Sequence, residues 1–212
     1  AKGDIVGWMN SDDLFVKDSV SSIVEVFSKD DTLGFVYGNV DVIDETDAII
    51  DRYYGKAVSF PNIFWSLDLP IPMQGTFWNK KNLKFNLQIT TEYHFVLDRD
   101  IFLRTILNTK CKYLNKTLGC FRYHDSSKSI SQKSGWIKEM PLMYKSILTD
   151  YPDRFNNADI RKIKAMPYSY IFFEYIKAGD FFHALLSILK AFRYSPSVIF
   201  RLNLKSKLKK IF

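Results

Sequence analysis

The 212-residue chain has little cysteine and no long apolar run. Its two cysteines, Cys111 and Cys120, have neither the CxxC spacing of a zinc knuckle nor the number that a disulfide scaffold requires. We therefore expect free thiols in a reducing compartment. No stretch reaches 18 uncharged apolar residues, so the sequence predicts no helix that spans a bilayer.

Several motifs of well-known chemistry are also missing. The sequence has no GxGxxG after a predicted strand, no Walker loop ending in Gly-Lys-Ser/Thr, no HExxH and no GxSxG. These absences exclude kinases, dehydrogenases, zinc proteases and hydrolases of the usual designs. No recognisable nucleic-acid-binding motif is present either, and we predict no nucleic-acid partner.

The chain does contain enough apolar surface for a folded core, together with an excess of positive charge. Hydrophobic residues make up 47% of the chain and aromatic residues 16%, which suffices for one domain or one domain with an appendage. A net charge of +7 indicates an anionic partner, such as a nucleotide diphosphate, an anionic lipid or a nucleic acid, without choosing among them. After Asp180, the last acid, come Arg201, Lys205, Lys207, Lys209 and Lys210.

The order of predicted elements favours an α/β part followed by helices. Strand-like patterns at 33–43, 48–54 and 112–123 alternate with helical patterns at 18–28, 60–67, 80–85 and 99–108. Only helical patterns follow, at 136–149, 159–177, 180–193 and 197–211. We therefore predict an α/β domain over residues 1–130 and a helical C-terminal extension over residues 131–212.

The most informative motif is Asn10-Ser11-Asp12-Asp13, which follows an apolar run from residue 4. A buried strand that ends in two carboxylates places hard oxygen ligands at the sheet edge where α/β proteins bind ligands and metals. The alternative is a plain turn or a helix cap. Asp18 is better placed to cap the next predicted helix, which favours a metal or ligand role for Asp12 and Asp13.

Two further segments carry candidate site residues. Asp98 precedes a predicted helix, where it serves either as N-cap or, kept ionised by the helix N-terminus, as a general base. His124 follows a predicted strand in a loop that also contains Lys128. A ligand role for His124 and a phosphate contact by Lys128 both compete with an ordinary solvated basic loop.

Five segments, taken together in this order, resemble the family-2 inverting glycosyltransferases. They read Gly-Trp-Met-Asn-Ser-Asp-Asp-Leu-Phe at 7–15, Val-Tyr-Gly-Asn at 36–39, Gln-Gly-Thr-Phe at 74–77, Asp-Arg-Asp at 98–100 and Phe-Arg-Tyr-His-Asp-Ser-Ser-Lys-Ser at 121–129. The resemblance covers about residues 1–130. It implies a partial GT-A fold, a mixed sheet flanked by helices, that transfers sugar from a nucleotide-sugar donor with inversion.

The resemblance also implies roles for individual residues. Asp13 would be the principal ligand of Mg²⁺ or Mn²⁺, Asp12 would contact the ribose or sugar, and Asp98 would be the acceptor base. His124 would approach the metal or the diphosphate. The donor cleft would be lined by Asn10, Gln74 and Thr76, with Lys128 at the phosphates.

The family's first strand and nucleobase pocket should precede residue 1, and the chain begins at Ala1 without an initiator Met. We therefore expect an upstream segment. Without it, the alternative is a non-catalytic, truncated transferase that acts as a sugar- or membrane-binding module. Titration with nucleotide sugars and Mn²⁺ would distinguish the two.

The predicted helix at 197–211 places Phe200, Leu204, Leu208 and Ile211 beside a basic row, as in helices that lie on an anionic membrane. Docking on the chain's own domain is the alternative. Bacterial family members often use lipid-linked acceptors in cell-surface polysaccharide synthesis. The resemblance thus implies a saccharide or lipid-linked acceptor and a cytoplasmic location, peripheral at the inner face of the membrane. On the preceding helix, we expect His183, Ser187 and Lys190 to form an exposed polar stripe.

Overall fold

The computed structural model describes residues 2–83, 92–124 and 134–197. The strands are β1 (Ile5–Gly7), β2 (Leu14–Phe15), β3 (Leu33–Ile43), β4 (Ile49–Tyr53), β5 (Thr76–Asn79) and β6 (Lys110–Arg122). The helices are α1 (Ser19–Lys29), α2 (Leu97–Asn108), α3 (Ser134–Asp150), α4 (Asn157–Lys177) and α5 (Phe181–Tyr194). Single 3₁₀ turns lie at Asn62–Trp65, Met73–Gly75, Lys80–Asn82 and Pro152–Arg154.

The six described strands form one mixed sheet. Its order is β1-β5-β3-β6-β2, with β4 paired to β3 outside this path. The β3–β6 pair is parallel and the other pairs are antiparallel. Strand β3 is buried along almost its whole length because it lies between β5 and β6 and consists largely of β-branched and aromatic residues.

Chain contacts divide the protein into two units. Unit 1 comprises Ala1–Val58, Pro70–Ile89 and Ile101–Ser131, and unit 2 comprises Ser59–Leu69, Thr90–Asp100 and Gln132–Phe212. The two units thus interleave along the sequence. The predicted domains at 1–130 and 131–212 stay a prediction.

Unit 1 contains the sheet and its core. Ile23 and Phe27 of α1 are buried against Leu33, Val36 and Leu118. On β5 the Trp78 ring stacks on Phe35 and Phe102 at centroid distances of 5.7 and 6.0 Å. The Trp78 indole N–H donates to Thr105 at 3.2 Å, which satisfies the one polar atom of this large buried side chain.

Unit 2 is built from helices around a separate core. Its buried cluster consists of Ala165, Phe173 and Ala191, with Tyr168 and Ile188 packed against it. In the described parts of the chain, no helix has both the length and the apolar character needed to cross a membrane.

The predicted element types agree well with the structure in most places. Strand β3 matches its predicted bounds, and the predicted hairpin is the antiparallel β3–β4 pair. The helices predicted at 136–149, 159–177 and 180–193 correspond to α3, α4 and α5. The predicted helix at 197–211 lies, apart from Ser197, outside the described residues.

Three local predictions are wrong. Strand β1 is only half-buried, because it is the last strand of the described sheet order and pairs there with β5 alone. The helix predicted at 60–67 is a single 3₁₀ turn, Asn62–Trp65. Asp18 precedes α1 in a left-handed conformation, and its side chain makes no capping hydrogen bond; its carbonyl instead accepts from the hydroxyls of Ser21 and Ser22.

Candidate functional site

The Asp13 carboxylate is buried and fixed by three donors in unit 1. Its Oδ2 accepts from the side-chain amides of Asn10 at 2.8 Å and Gln74 at 2.9 Å. Its Oδ1 accepts from the backbone N–H of Arg122 at 3.0 Å. Only 6% of the Asp13 surface is exposed. The carboxylate therefore joins residues 10–13, which we call the acidic loop, to the end of β6 and to the 3₁₀ turn that carries Gln74.

A close backbone approach brings Gln74 within reach of Asp13. Gly119 of β6 lies directly against the Gln74 backbone, and a Cβ atom at position 119 would collide with the Gln74 carbonyl oxygen. Thr76 braces the same segment, because its fully buried hydroxyl donates to the Pro72 carbonyl at 2.7 Å. The predicted contacts of Gln74 and Thr76 with a donor stay predictions.

Asp12 and His124 form the accessible acid–imidazole pair of this region. His124 Nε2 lies 3.0 Å from Asp12 Oδ2, with 31% of the His124 side chain and 39% of the Asp12 side chain exposed. The hydrogen bond from His124 is the main reason that the pKa of Asp12 lies below its ordinary value, with a smaller contribution from the charge of Arg122. Asp12 is therefore an ionised carboxylate at neutral pH.

Arg122 connects this loop to a neighbouring turn, a role that the sequence analysis missed. Its Nε donates to the Asp12 carbonyl at 3.0 Å and its Nη1 to the Asp44 carbonyl at 2.6 Å, while its Nη2 pairs with the Asp47 carboxylate. The available signal was its place near the end of a predicted strand, two positions before His124. An Arg there presents five N–H donors in a fixed planar arrangement to the loops around it.

Asp98 lies in unit 2, in the first turn of α2. The helix begins at Leu97, two residues before Arg99, so the interpretation of Asp98 as the N-cap of a helix starting at Arg99 is wrong. Asp98 Oδ1 accepts from the Arg99 backbone N–H at 2.7 Å. Burial raises the pKa of Asp98, and the amide and charge of Arg99 oppose that rise. A carboxylate with a raised pKa is a stronger proton acceptor.

Arg99 anchors the start of α2 through a buried guanidinium. Its Nε donates to the Tyr144 hydroxyl at 3.0 Å, its Nη1 to the Leu67 carbonyl at 3.3 Å and its Nη2 to the Ser66 carbonyl. Burial raises the pKa of Tyr144, so its hydroxyl stays protonated. The Arg99 side chain, next to Asp98, is thereby held by two separate segments of unit 2, α3 and residues 66–67.

Glu139 of α3 binds the residues that directly precede α2. Its carboxylate accepts from three consecutive backbone N–H groups, those of His94 at 3.1 Å, Phe95 at 2.8 Å and Val96 at 3.2 Å. These groups precede the first intrahelical bonds of α2 and have no partner within the helix. A carboxylate there satisfies them and complements the positive end of the helix dipole. Glu139 was also missed by the sequence analysis, because it lies about 40 residues from the helix that it caps.

The predicted site residues thus fall into two groups. Asn10, Asp12, Asp13, Gln74 and His124 lie together in unit 1, whereas Asp98 belongs to unit 2. Lys128 lies outside the described residues. Whether these residues share one cavity stays a prediction.

Comparison with solved structures shows that the fold of this chain is a known one. The chain is similar to S. aureus TarS 1-349 in complex with UDP-GlcNAc, with a TM-score of 0.60 and 14% sequence identity. The fold is GT-A-like. The alignment covers 95% of this chain and 60% of the TarS chain, so this chain spans less than two thirds of that protein's length. No family model matches the sequence, and no curated protein matches it.

The likeness confirms the predicted fold class, a GT-A-like mixed sheet flanked by helices with a helical C-terminal region. Both cysteines are free thiols in the structure, as predicted. Burial raises the pKa of Cys111 and of Cys120, which keeps both thiols protonated.

The side chains around Asp12 provide few ligands for a divalent cation. Within residues 2–83, 92–124 and 134–197, no group of three or more metal-ligating side chains occurs. Asp13 faces three N–H donors, which orient positive hydrogens where a cation would have to bind. Asp12 and His124 are partly exposed and adjacent. Mg²⁺ and Mn²⁺ need only one or two protein ligands when a diphosphate supplies the others, so Asp12, with His124 beside it, is more accessible to such an ion than the enclosed Asp13. The predicted metal role of Asp13 stays a prediction.

Proposed function

We propose that this chain belongs to a glycosyltransferase that moves a sugar from a nucleotide-sugar donor to a saccharide or lipid-linked acceptor, with inversion. The observation that carries the proposal is the partly exposed Asp12–His124 pair, held at the end of β6 by the hydrogen bond from the Arg122 backbone N–H to Asp13. It is supported by the likeness of the fold to a protein that is bound to UDP-GlcNAc. UDP-GlcNAc is a nucleotide sugar, and we propose a donor of this class.

In this proposal Asp12 and His124 hold Mg²⁺ or Mn²⁺, and Asp13 has a structural role. This moves to Asp12 the metal-ligand role that the family resemblance implied for Asp13. The bound ion would neutralise the charge that develops on the leaving diphosphate. The buried Asp13 keeps Asp12 at the end of β6, because Asn10 and Gln74 hold it on one side and the Arg122 amide on the other.

Asp98 is the proposed general base. The acceptor hydroxyl oxygen forms a bond to the anomeric carbon as the bond from that carbon to the diphosphate oxygen breaks. The hydroxyl proton passes to the Asp98 carboxylate, and the nucleoside diphosphate leaves with the electron pair. Because this is a single in-line displacement, the anomeric configuration inverts. The raised pKa of Asp98 brings it closer to working pH, which favours proton acceptance.

Donor contacts by Asn10, Gln74 and Lys128 complete the proposal, with Thr76 bracing the segment that carries Gln74. The lysine would supply positive charge at the phosphates, and the side-chain amides would hydrogen-bond the sugar or ribose. The setting that fits this chemistry is cell-surface polysaccharide synthesis on the cytoplasmic side of the membrane.

The proposal is tested by transfer assays with nucleotide sugars and Mn²⁺ in the longest natural form of the protein. We expect Asp12→Asn, His124→Gln and Asp98→Asn each to lower kcat/KM by at least about a hundredfold, a loss typical of essential polar groups. The matched control is Asp31→Asn, which replaces an exposed acidic residue in a turn and should leave turnover unchanged. Liposome binding by the natural protein, without turnover and without saturable Mn²⁺-dependent donor binding, would support the non-catalytic module instead.

A further inference from the structure

Helix α5 packs with an unusual side chain pattern, because its small residues face inward. Ala184, Ser187 and Ala191 are buried, and Ala191 joins the unit 2 core together with Ala165 of α4. The Ser187 hydroxyl donates to the His183 carbonyl one turn earlier, at 2.8 Å. The predicted exposed polar stripe of His183, Ser187 and Lys190 is therefore wrong at Ser187, which lies inside. Small inward residues allow α5 to approach α4 closely.

The large apolar side chains of α5 face outward. Between 43% and 67% of the surface of each is exposed. These residues, which we call the α5 apolar face, are Phe181, Phe182, Leu185, Leu186, Leu189 and Phe192. Their spacing of three, four and seven residues places them on one side of the helix. Soluble proteins rarely expose so large a continuous apolar surface unless it contacts a partner or a membrane.

The charges around the α5 apolar face favour a membrane over a second copy of the chain. Lys190 and Arg193 are exposed on the same helix. From residue 181 to the end of the sequence there are seven Lys and Arg residues and no Asp or Glu. A second copy of the chain would bring this positive charge against itself. An anionic lipid surface would complement it, at about 1 kcal/mol for each Lys or Arg near the headgroups.

We propose that α5 lies in the interfacial region of an anionic bilayer, with its apolar face inserted among the acyl chains and with Lys190 and Arg193 at the phosphate headgroups. A helix that is apolar on one side and basic at its edge binds a membrane in this way without crossing it. The proposal differs from the prediction for residues 197–211, because it assigns the contact to a described helix. It does not depend on the transfer reaction proposed above.

The test is co-sedimentation of the full chain with vesicles of phosphatidylglycerol and phosphatidylcholine, compared with vesicles of phosphatidylcholine alone. We expect binding to the anionic vesicles and at least about tenfold weaker binding to the neutral ones, since several cations contribute. The variant Leu185→Ser/Leu189→Ser should weaken binding by at least about tenfold. Lys190→Gln/Arg193→Gln should weaken it by about fivefold for each charge at low salt.

The matched control is Val20→Ser/Val24→Ser, which replaces two exposed apolar residues of α1 in unit 1. It should bind as the wild type does, and circular dichroism should show all variants folded. The proposal is overturned if the wild type ignores anionic vesicles, binds neutral ones equally well, or is unaffected by Leu185→Ser/Leu189→Ser. It is also overturned if light scattering shows a dimer that this variant dissociates while vesicle binding is absent.

Discussion

His124 Nε2 lies 3.0 Å from Asp12 Oδ2, and both side chains remain open to solvent at the end of the acidic loop. Neighbouring Asp13, in contrast, is enclosed by hydrogen-bond donors. Two consecutive acids therefore differ in what they can do. Asp12 can contact a ligand, and Asp13 maintains the loop that presents Asp12.

The Asp12–His124 contact should affect stability in acid. The pKa of Asp12 is lowered on folding from the model-peptide value of 3.8, mainly by the hydrogen bond from His124. Stabilisation from such a group is complete above the unfolded pKa and is lost as pH falls through the folded pKa. We expect wild type to be slightly more stable than Asp12→Asn at pH 5, with the difference beginning to shrink as pH falls below 3.8 and lost once pH has passed below the folded pKa. Urea unfolding at several pH values measures the difference in the free energy of unfolding between the two proteins. A difference that grows in acid would contradict a stabilising Asp12–His124 hydrogen bond.

Gln74 should be important for the stability of unit 1. Gln74→Ala removes a donor from the buried Asp13 carboxylate, and the loss of a hydrogen bond to a charged group should cost about 1.5 to 3 kcal/mol. Gln74→Glu should cost more, because it places a second carboxylate against Asp13. Urea denaturation checks both. Asn62→Ala is the control, because Asn62 donates to Ser59 at an exposed position, and its removal should change the free energy of unfolding by less than about 0.5 kcal/mol.

Asp98→Asn should stabilise the protein near neutral pH while abolishing transfer. Burial raises the folded pKa of Asp98 above its unfolded value, so the ionised form is disfavoured in the fold. Stability is lost as pH rises through the folded pKa, and an uncharged Asn avoids that loss. Thermal unfolding at pH 7 should show a higher Tm for Asp98→Asn than for wild type. The control is Asp153→Asn, at an exposed acid, which should leave the Tm unchanged. An unchanged or lower Tm for Asp98→Asn would show that burial of the ionised Asp98 carboxylate does not destabilise the fold.

Glu139 should act as a positioning residue for Asp98. Glu139→Ala leaves three backbone N–H groups at the start of α2 without their shared acceptor, and we expect a loss of about 1 to 2 kcal/mol, as for an N-cap deletion. Glu139→Gln retains one acceptor oxygen and should lose less. If Glu139 orients Asp98, both variants should lower kcat more than they raise KM, and Gln should recover part of the loss. Equal losses in kcat for the two variants would indicate a structural role alone.

The sequence predicted those features that local pattern determines. Strand β3 carries a run of β-branched and aromatic residues, and its bounds were correct. The acidic loop was recognised because carboxylates directly after an apolar run are unusual. The helices of unit 2 were found from their periodicity and from the Pro and Gly residues between them.

Contacts distant in sequence could not be predicted in the same way. The Asp13–Gln74 bond joins residues 61 positions apart, and the Glu139–Phe95 bond joins residues 44 apart. Neither residue type signals its partner. For α5, periodicity identified a helix but not its inward side, because close packing against α4 selects small residues over large ones. The distribution of roles between Asp12 and Asp13 likewise depends on which carboxylate the fold encloses.

The most direct test of the account is Mn²⁺ binding measured by electron paramagnetic resonance in the presence of each nucleoside diphosphate in turn. We predict that wild type binds Mn²⁺ with at least one of them, that Asp12→Asn and His124→Gln each weaken this binding by at least about tenfold, and that Asp31→Asn does not. Equal Mn²⁺ binding by wild type and Asp12→Asn, with both variants folded, would contradict the assignment of Asp12 and His124 as the residues that hold the cation.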